Sequence, residues 1–283
     1  MRRYYVAVAL CVASLAAGCA AAPTLPSGGP TYECRKAVDP IRLDGVLDED
    51  SWKQAEAVPL RYAYPSGERV ETPAGLARMC WDARNFYVAL EVPDINIQAE
   101  GRDRDTVGEA LPNDLAEIFV DINGDDRHFF EFHVNPLNGF TDTLVILCEP
   151  DSPLGQRSVY GDVVYLREFN LKSYKTAVKV YGEVNHPELP DEKWVVEMAL
   201  PFESLLMPYP ESQKGWPLWR KYPKPHPDLG DVWRIQTVVQ NYDLPQRYYT
   251  WVPTRTTHFA QGIREFGRVK FAGPPTPQAP AGR

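Results

Sequence analysis

Apolar and polar residues alternate in short runs along most of this chain, the period-two signature of half-buried strands. Gly75 to Trp81 and Asn85 to Val92 are two such runs, split by the turn sequence Asp82-Ala83-Arg84-Asn85. Leu115 to Ile122 and His128 to Asn135 flank Asn123-Gly124-Asp125-Asp126 and read as a hairpin. Further strands are expected at Thr141 to Cys148, Tyr174 to Tyr181, Trp194 to Leu200, Val232 to Gln240, Tyr248 to Val252 and Phe266 to Phe271. Helix is scarce. Asp48 to Ala57 is one candidate, with Asp48 as N-cap and Trp52 on the buried side, and Pro201 to Leu206 is a single-turn piece. The Pro-rich stretch Pro208 to Pro227 reads as a long surface loop. Many short strands punctuated by Pro and Gly predict an all-β chain built as an antiparallel β-sandwich.

The central hairpin has two unlike faces. Phe130, Phe132 and Val134 point one way, and Glu131, His133 and Asn135 the other. On the first strand, Glu117 and Asp121 share a face with Phe119. One face therefore packs into a core, while the other sets polar groups around a ring. That pattern suits a sugar-binding face, and equally an ordinary solvent-facing sheet.

The first residues change the setting of the domain. Arg2-Arg3, an apolar run from Tyr4 to Ala13, and Leu15-Ala16-Ala17-Gly18-Cys19 resemble a bacterial lipoprotein signal with Cys19 as the lipidated residue. An ordinary secretory signal cut near Ala22 is the other reading. Either way the domain is expected to work outside the cytoplasm. With a lipid on Cys19 it is anchored to the bacterial membrane, and Ala20 fits the outer membrane if one is present. The expected organisation is a signal over 1–18, a flexible tether over 19–30, one domain over 31–272 and a disordered tail over 273–283. Loss of Arg2 and Arg3 takes the net charge from −8 to about −10. So acidic a surface argues against nucleic acid, which needs a basic footprint. Three cysteines follow Cys19, and Cys34 with Cys80, both in early strand-like segments, is the preferred disulfide; Cys148 is left over.

Several segments in register resemble the family 9 carbohydrate-binding modules and their larger relatives. Ile41-Arg42-Leu43-Asp44-Gly45-Val46-Leu47-Asp48-Glu49-Asp50-Ser51-Trp52 looks like that family's first strand and capped helix. Cys80 to Val88, Asn113 to Asp121, Trp194 to Phe202, Trp251 and Phe266-Gly267 match later pieces in the same order, so the resemblance runs from about Val38 to Phe271. It implies a jelly-roll β-sandwich that binds sugars without catalysis. It also implies a setting of polysaccharide breakdown, with a separate glycoside hydrolase as a candidate partner. In binding members two aromatic rings clamp a sugar. The first position falls here at about Leu111, with no ring, and the second near Phe259. Trp216, Trp219 and Tyr222 in the long loop are candidate replacements.

Sugars present apolar C–H faces rimmed by hydroxyls, so a ring with carboxylates and amides around it is the chemistry to seek. The candidate sugar-binding residues are Glu117, Glu131, His133, Asn135 and Gln236, with Phe259 as platform. Trp52 and Trp81 are assigned to the core, and Trp251 is favoured there too. Asp121, Asn123 and Asp125 place oxygen side chains at alternating positions, as at the start of a calcium loop. The EF-hand pattern fails, and a polar hairpin turn accounts for the same residues. Some family members carry structural calcium, and Asp114 is a further candidate ligand. No other cofactor is expected. Two rival readings remain. A glycoside hydrolase needs two carboxylates facing across a sugar, and Glu117 with Glu131 on neighbouring strands could supply them, although any polar sheet face offers such pairs. Related sandwiches hold haem for electron transfer, for which Met79 or Met198 with a His are the available ligands, although core filling explains both methionines.

Overall fold

A computed structural model describes residues 29–107, 112–122, 124, 128–147, 156–158, 161–166, 169–205, 226–244, 247–256 and 259–274. The signal with Cys19, Leu111, Asn123, Asp125, Cys148, and Trp216, Trp219 and Tyr222 of the Pro-rich loop lie outside these residues.

The described residues form sixteen strands and little helix. Strand β1 is Thr31–Lys36, followed by helix α1 (Asp50–Gln54) and the short strands β2 (Val58–Leu60), β3 (Tyr62–Tyr64) and β4 (Glu68–Arg69). Next come β5 (Gly75–Trp81), β6 (Asn85–Pro93), β7 (Leu115–Asp121), β8 (His128–Val134) and β9 (Phe140–Leu147). The second half supplies β10 (Gln156–Ser158), β11 (Gly161–Leu166), β12 (Lys175–Tyr181) and β13 (Lys193–Pro201). Helix α2 (Phe202–Leu205) precedes β14 (Val232–Gln240), β15 (Tyr248–Thr250), a 3-10 segment (Phe259–Glu265) and β16 (Gly267–Ala272).

The hydrogen-bonded order is β10-β11-β9-β8-β7-β14-β16-β1-β5-β6-β13-β12. This one sheet curls so that its two halves face each other, the jelly-roll sandwich that the resemblance implies. Its hinge corrects the all-antiparallel expectation. Strand β1 runs parallel to both neighbours, pairing Cys34 with Phe271 and Arg35 with Cys80. The main core lies between the halves. Ile118, Phe132 and Ile235 come from one side, and Met79, Val88, Trp194 and Met198 from the other. Each fully buried side chain of this size contributes about 1.5–3 kcal/mol. Met79 and Met198 are both wholly enclosed there, the packing role. Trp81, Phe86, Phe202, Trp233 and Phe271 pack edge to face at one end, with Trp233 and Phe271 centroids 4.8 Å apart. Trp251 is also core, 6.3 Å from Tyr32, over Gly267, where a Cβ would come within 2.3 Å of its ring.

A second face holds the segment before α1. Glu197 on β13 accepts from Trp52 Nε1 at 2.9 Å and from the backbone N–H groups of Asp44 at 3.0 Å and Gly45 at 2.7 Å. Gly45 reaches this position with φ +75, where a Cβ would meet Lys179 at 2.5 Å. The helix itself is shorter than expected and its N-cap is Glu49, not Asp48. Capping comes from a distance, because Asp39 accepts from the N–H groups of Asp50 and Ser51, both at 2.9 Å.

The expected Cys34–Cys80 disulfide is not formed; both are buried free thiols. Cys80 pairs with Arg35, so its neighbour Cys34 points to the opposite face. Cys34 enters the main core and Cys80 lies beside Trp52 and Tyr87. Burial pushes both thiols well above their usual range.

Candidate functional site

The sheet half that carries the central hairpin has strictly alternating faces. Ala116, Ile118 and Val120 of β7 and Phe130, Phe132 and Val134 of β8 turn into the main core. The opposite, outer face is organised in cross-strand rows. One row is Val238, Glu117, His133 and Thr141, from β14, β7, β8 and β9 in turn. The adjacent row is Gln236, Phe119, Glu131 and Thr143. Side chains directly opposite in such rows are in contact distance, so Glu117, Glu131 and His133 gather around Phe119. The His133 and Phe119 ring centroids are 6.2 Å apart. His133 Nε2 lies 4.0 Å from a Glu131 carboxylate oxygen.

This face is not an open solvent surface. A second apolar cluster of Phe119, Phe129, Val145, Val163, Val238, Ile263 and Phe266 covers part of it, with Tyr64 and Tyr248 packed at its margin. Tyr64 and Tyr248 pair across β3 and β15 with centroids 6.1 Å apart, edge to face. Glu117 is fully buried, and Glu131 and His133 keep only 9% of their surface. Glu131 would favour a protonated ring, but burial dominates and pulls His133 down to about 4. His133 is therefore a neutral imidazole at pH 7, able to donate through one nitrogen and accept through the other.

Two other candidates are on the right face but committed to the fold. Asn135 Nδ2 donates to the carbonyls of Glu100 and Gly101, both at 2.9 Å. Its Oδ1 accepts from Leu137 N at 3.1 Å and Gly139 N at 2.9 Å. Gln236 Nε2 donates to Val252 O at 2.7 Å and Thr254 Oγ1 at 2.9 Å, and its Oε1 accepts from Val252 N at 3.0 Å. Both side chains staple loops to the sheet. Phe259 opens the 3-10 segment, and its side chain lies outside the described residues. Asp121 Oδ1 accepts from Gly124 N at 2.7 Å, the polar-turn role. Among the described residues no cluster of three or more His, Cys, Asp or Glu is arranged to hold a metal ion. Asp114 is a buried anchor, accepting from Gln98 N and Tyr242 N. Burial, with Asp94 beside it, pushes it up to about 7.

Thr143, opposite Glu131, and Thr141, opposite His133, were not among the expected site residues. The period-two reading of Thr141 to Cys148 places them on this face, but only the register shows what they face. Thr141 Oγ1 donates to Val107 O at 2.7 Å.

Residues 43–139, which include α1 and the whole hairpin, match the family model described as carbohydrate family 9 binding domain-like. The chain carries a family 9-like domain. No curated protein sequence matches it. Among solved structures, the domain resembles a family 9 module from Caldicellulosiruptor kristjanssonii in complex with glucose. Identity is 18% and the TM-score 0.51, over 88% of this chain and 100% of that one. The same module with cellotriose gives 18% and 0.52, over 89% and 99%. A candidate carbohydrate-binding protein from Bacteroides uniformis gives 14% and 0.54, over 86% and 100%. The family 9-like fold is thus common to all of these across nearly their whole length.

Proposed function

We propose that this protein binds neutral oligosaccharides without cleaving them, on the outer face of β7, β8, β9 and β14. The observation that carries the reading is the gathering of Glu117, Glu131 and His133 around Phe119 on adjacent rows of one sheet face. Carboxylates accept from sugar hydroxyls and the neutral imidazole of His133 can do either, and Glu131 and His133 keep the 9% of their surface through which a sugar would be met, with Phe119, 1% exposed, packed beneath them. The family 9-like domain, and the glucose and cellotriose held by the Caldicellulosiruptor kristjanssonii module, support glucose-type sugars as the first class to try. The lipoprotein-like signal ending at Cys19 supports a place at the cell surface, where such binding would serve polysaccharide breakdown beside a separate hydrolase.

The test is calorimetric titration of the purified protein with cello-, xylo- and manno-oligosaccharides, with product analysis of each mixture. Saturable binding with the sugars recovered intact is expected. Release of shorter products would make the Glu117 and Glu131 pair catalytic, and an absence of binding across the panel would overturn the proposal.

A further inference from the structure

On the other side of the sandwich, away from Glu117 and His133, a cleft of about 770 Å³ opens against β6 and β13. Its floor follows from register. Cys80, Tyr87, Ala199 and Lys175 form one cross-strand row over β5, β6, β13 and β12. Ala199 has almost no side chain, so a gap is left between the Tyr87 ring and Lys175. The ring is held in place, because Tyr87 Oη donates to Asp82 at 2.9 Å and accepts from Asn85 Nδ2 at 2.9 Å. Its polar atom is thereby spent, and what the cleft receives from it is aromatic surface. Ile41 and Leu43 from the segment stapled by Glu197 form one wall, and Phe202 from the start of α2 another.

The rim is charged in the opposite sense to the whole protein. Arg84 and Lys175 both line the cleft and are exposed, against the single acid Glu203, in a chain of net charge −8. Neither cation is in an ion pair among the described residues, whereas Arg42, Arg104 and Lys193 all are. His226 lines the same rim, with its Nδ1 3.1 Å from the Pro227 carbonyl oxygen. Two cations that make no ion pair among the described residues, set around a cleft floored by the Tyr87 ring and Ala199 and rimmed by polar side chains, fit an anion carried on a ring-sized body.

We propose that this cleft is a second binding site, for a small ring compound bearing a carboxylate. Arg84 and Lys175 take the carboxylate, and the ring lies over Tyr87 in the space that Ala199 leaves. The chemistry has two sources, a uronic acid from an acidic polysaccharide or a free aromatic acid. The site does not depend on the sugar-binding reading of the opposite face, so either can fail alone.

The experiment is calorimetric titration of the full-length protein with glucuronate and, separately, 4-hydroxybenzoate, with glucose as the neutral control. Saturable binding of one acid is expected and names the source. It should weaken at least ten-fold in the Arg84→Ala/Lys175→Ala double variant, whose exposed positions leave the fold intact, and in Ala199→Leu, which fills the gap. It should also weaken with added salt. The proposal is overturned if neither acid binds, if the double variant binds as tightly as the parent, or if glucose displaces the bound acid.

Discussion

Replacing Glu197 with Ala should be among the most damaging single changes in this protein, although the residue touches no ligand face. Its carboxylate takes three donors: Trp52 Nε1, Asp44 N and Gly45 N. Burial pushes the carboxyl up, while these three bonds pull it back. Removing the acceptor leaves two enclosed donors and one part-enclosed donor without a partner. Each such loss costs about 1–3 kcal/mol, so about 4 kcal/mol is expected after discounting the more exposed Asp44 N–H. That is a large share of the roughly 5–15 kcal/mol that holds a domain together. Urea unfolding followed by tryptophan fluorescence reads this directly as a shift in midpoint at constant slope. Glu197→Gln should recover part of the loss, since one amide oxygen can accept two of the donors while its NH₂ opposes the third. Lys53→Ala, which removes only an exposed ion pair with Asp50, should stay within about 0.5 kcal/mol. A Glu197→Ala loss under about 1 kcal/mol would refute the claim that this carboxylate staples the first segment to β13.

Other outcomes follow from the same geometry. Asn135→Ala should lose about 3 kcal/mol in urea unfolding, because its amide serves four backbone groups; an unchanged midpoint would return Asn135 to the list of ligand contacts. His133 is held near 4 against about 6.5 when unfolded, so the folded state binds fewer protons between these values and stability is lost as pH falls through that window. From pH 7 to pH 5 the parent should lose about 2 kcal/mol more than His133→Phe. This comparison cancels the opposite contribution of Asp114, whose raised value favours the folded state as pH falls. Equal pH dependence in parent and variant would show that burial does not set the ionisation of His133. Cys19→Ser should move the protein from the detergent fraction to the soluble one, and retention with detergent would rule out the lipid anchor.

Alternation along β7 and β8 was enough to assign faces, because a strand's period is fixed at two and the apolar set Phe130, Phe132, Val134 leaves no choice of side. It could not say what each polar residue meets. Asn135 and Gln236 lie on the expected side yet are spent on loops, since their partners, Gly101 and Val252 among them, are brought there by chain paths with no local signal. The Cys34–Cys80 pairing failed for a similar reason. Both cysteines sit in strands, but parallel pairing of β1 sets Arg35, not Cys34, opposite Cys80. Strand β1 is legible in the sequence only as a strand-like segment around Cys34, because Thr31–Lys36 alternates polar with buried residues over only six positions. The capping of α1 was misassigned to Asp48 because the acceptor that satisfies its first turn, Asp39, lies eleven residues ahead of Asp50. The resemblance between Asp44 to Trp52 and Trp194 to Phe202 and the family's segments has a physical counterpart, since Glu197 binds the first piece to the second.

The most direct test of the sugar-binding face is to follow the imidazole resonances of His133 by NMR while cellotriose is added. A saturable shift of those resonances, with the same affinity that calorimetry gives, is expected. Cellotriose binding that leaves the His133 signals in place, or no binding at all, would contradict the proposed binding face.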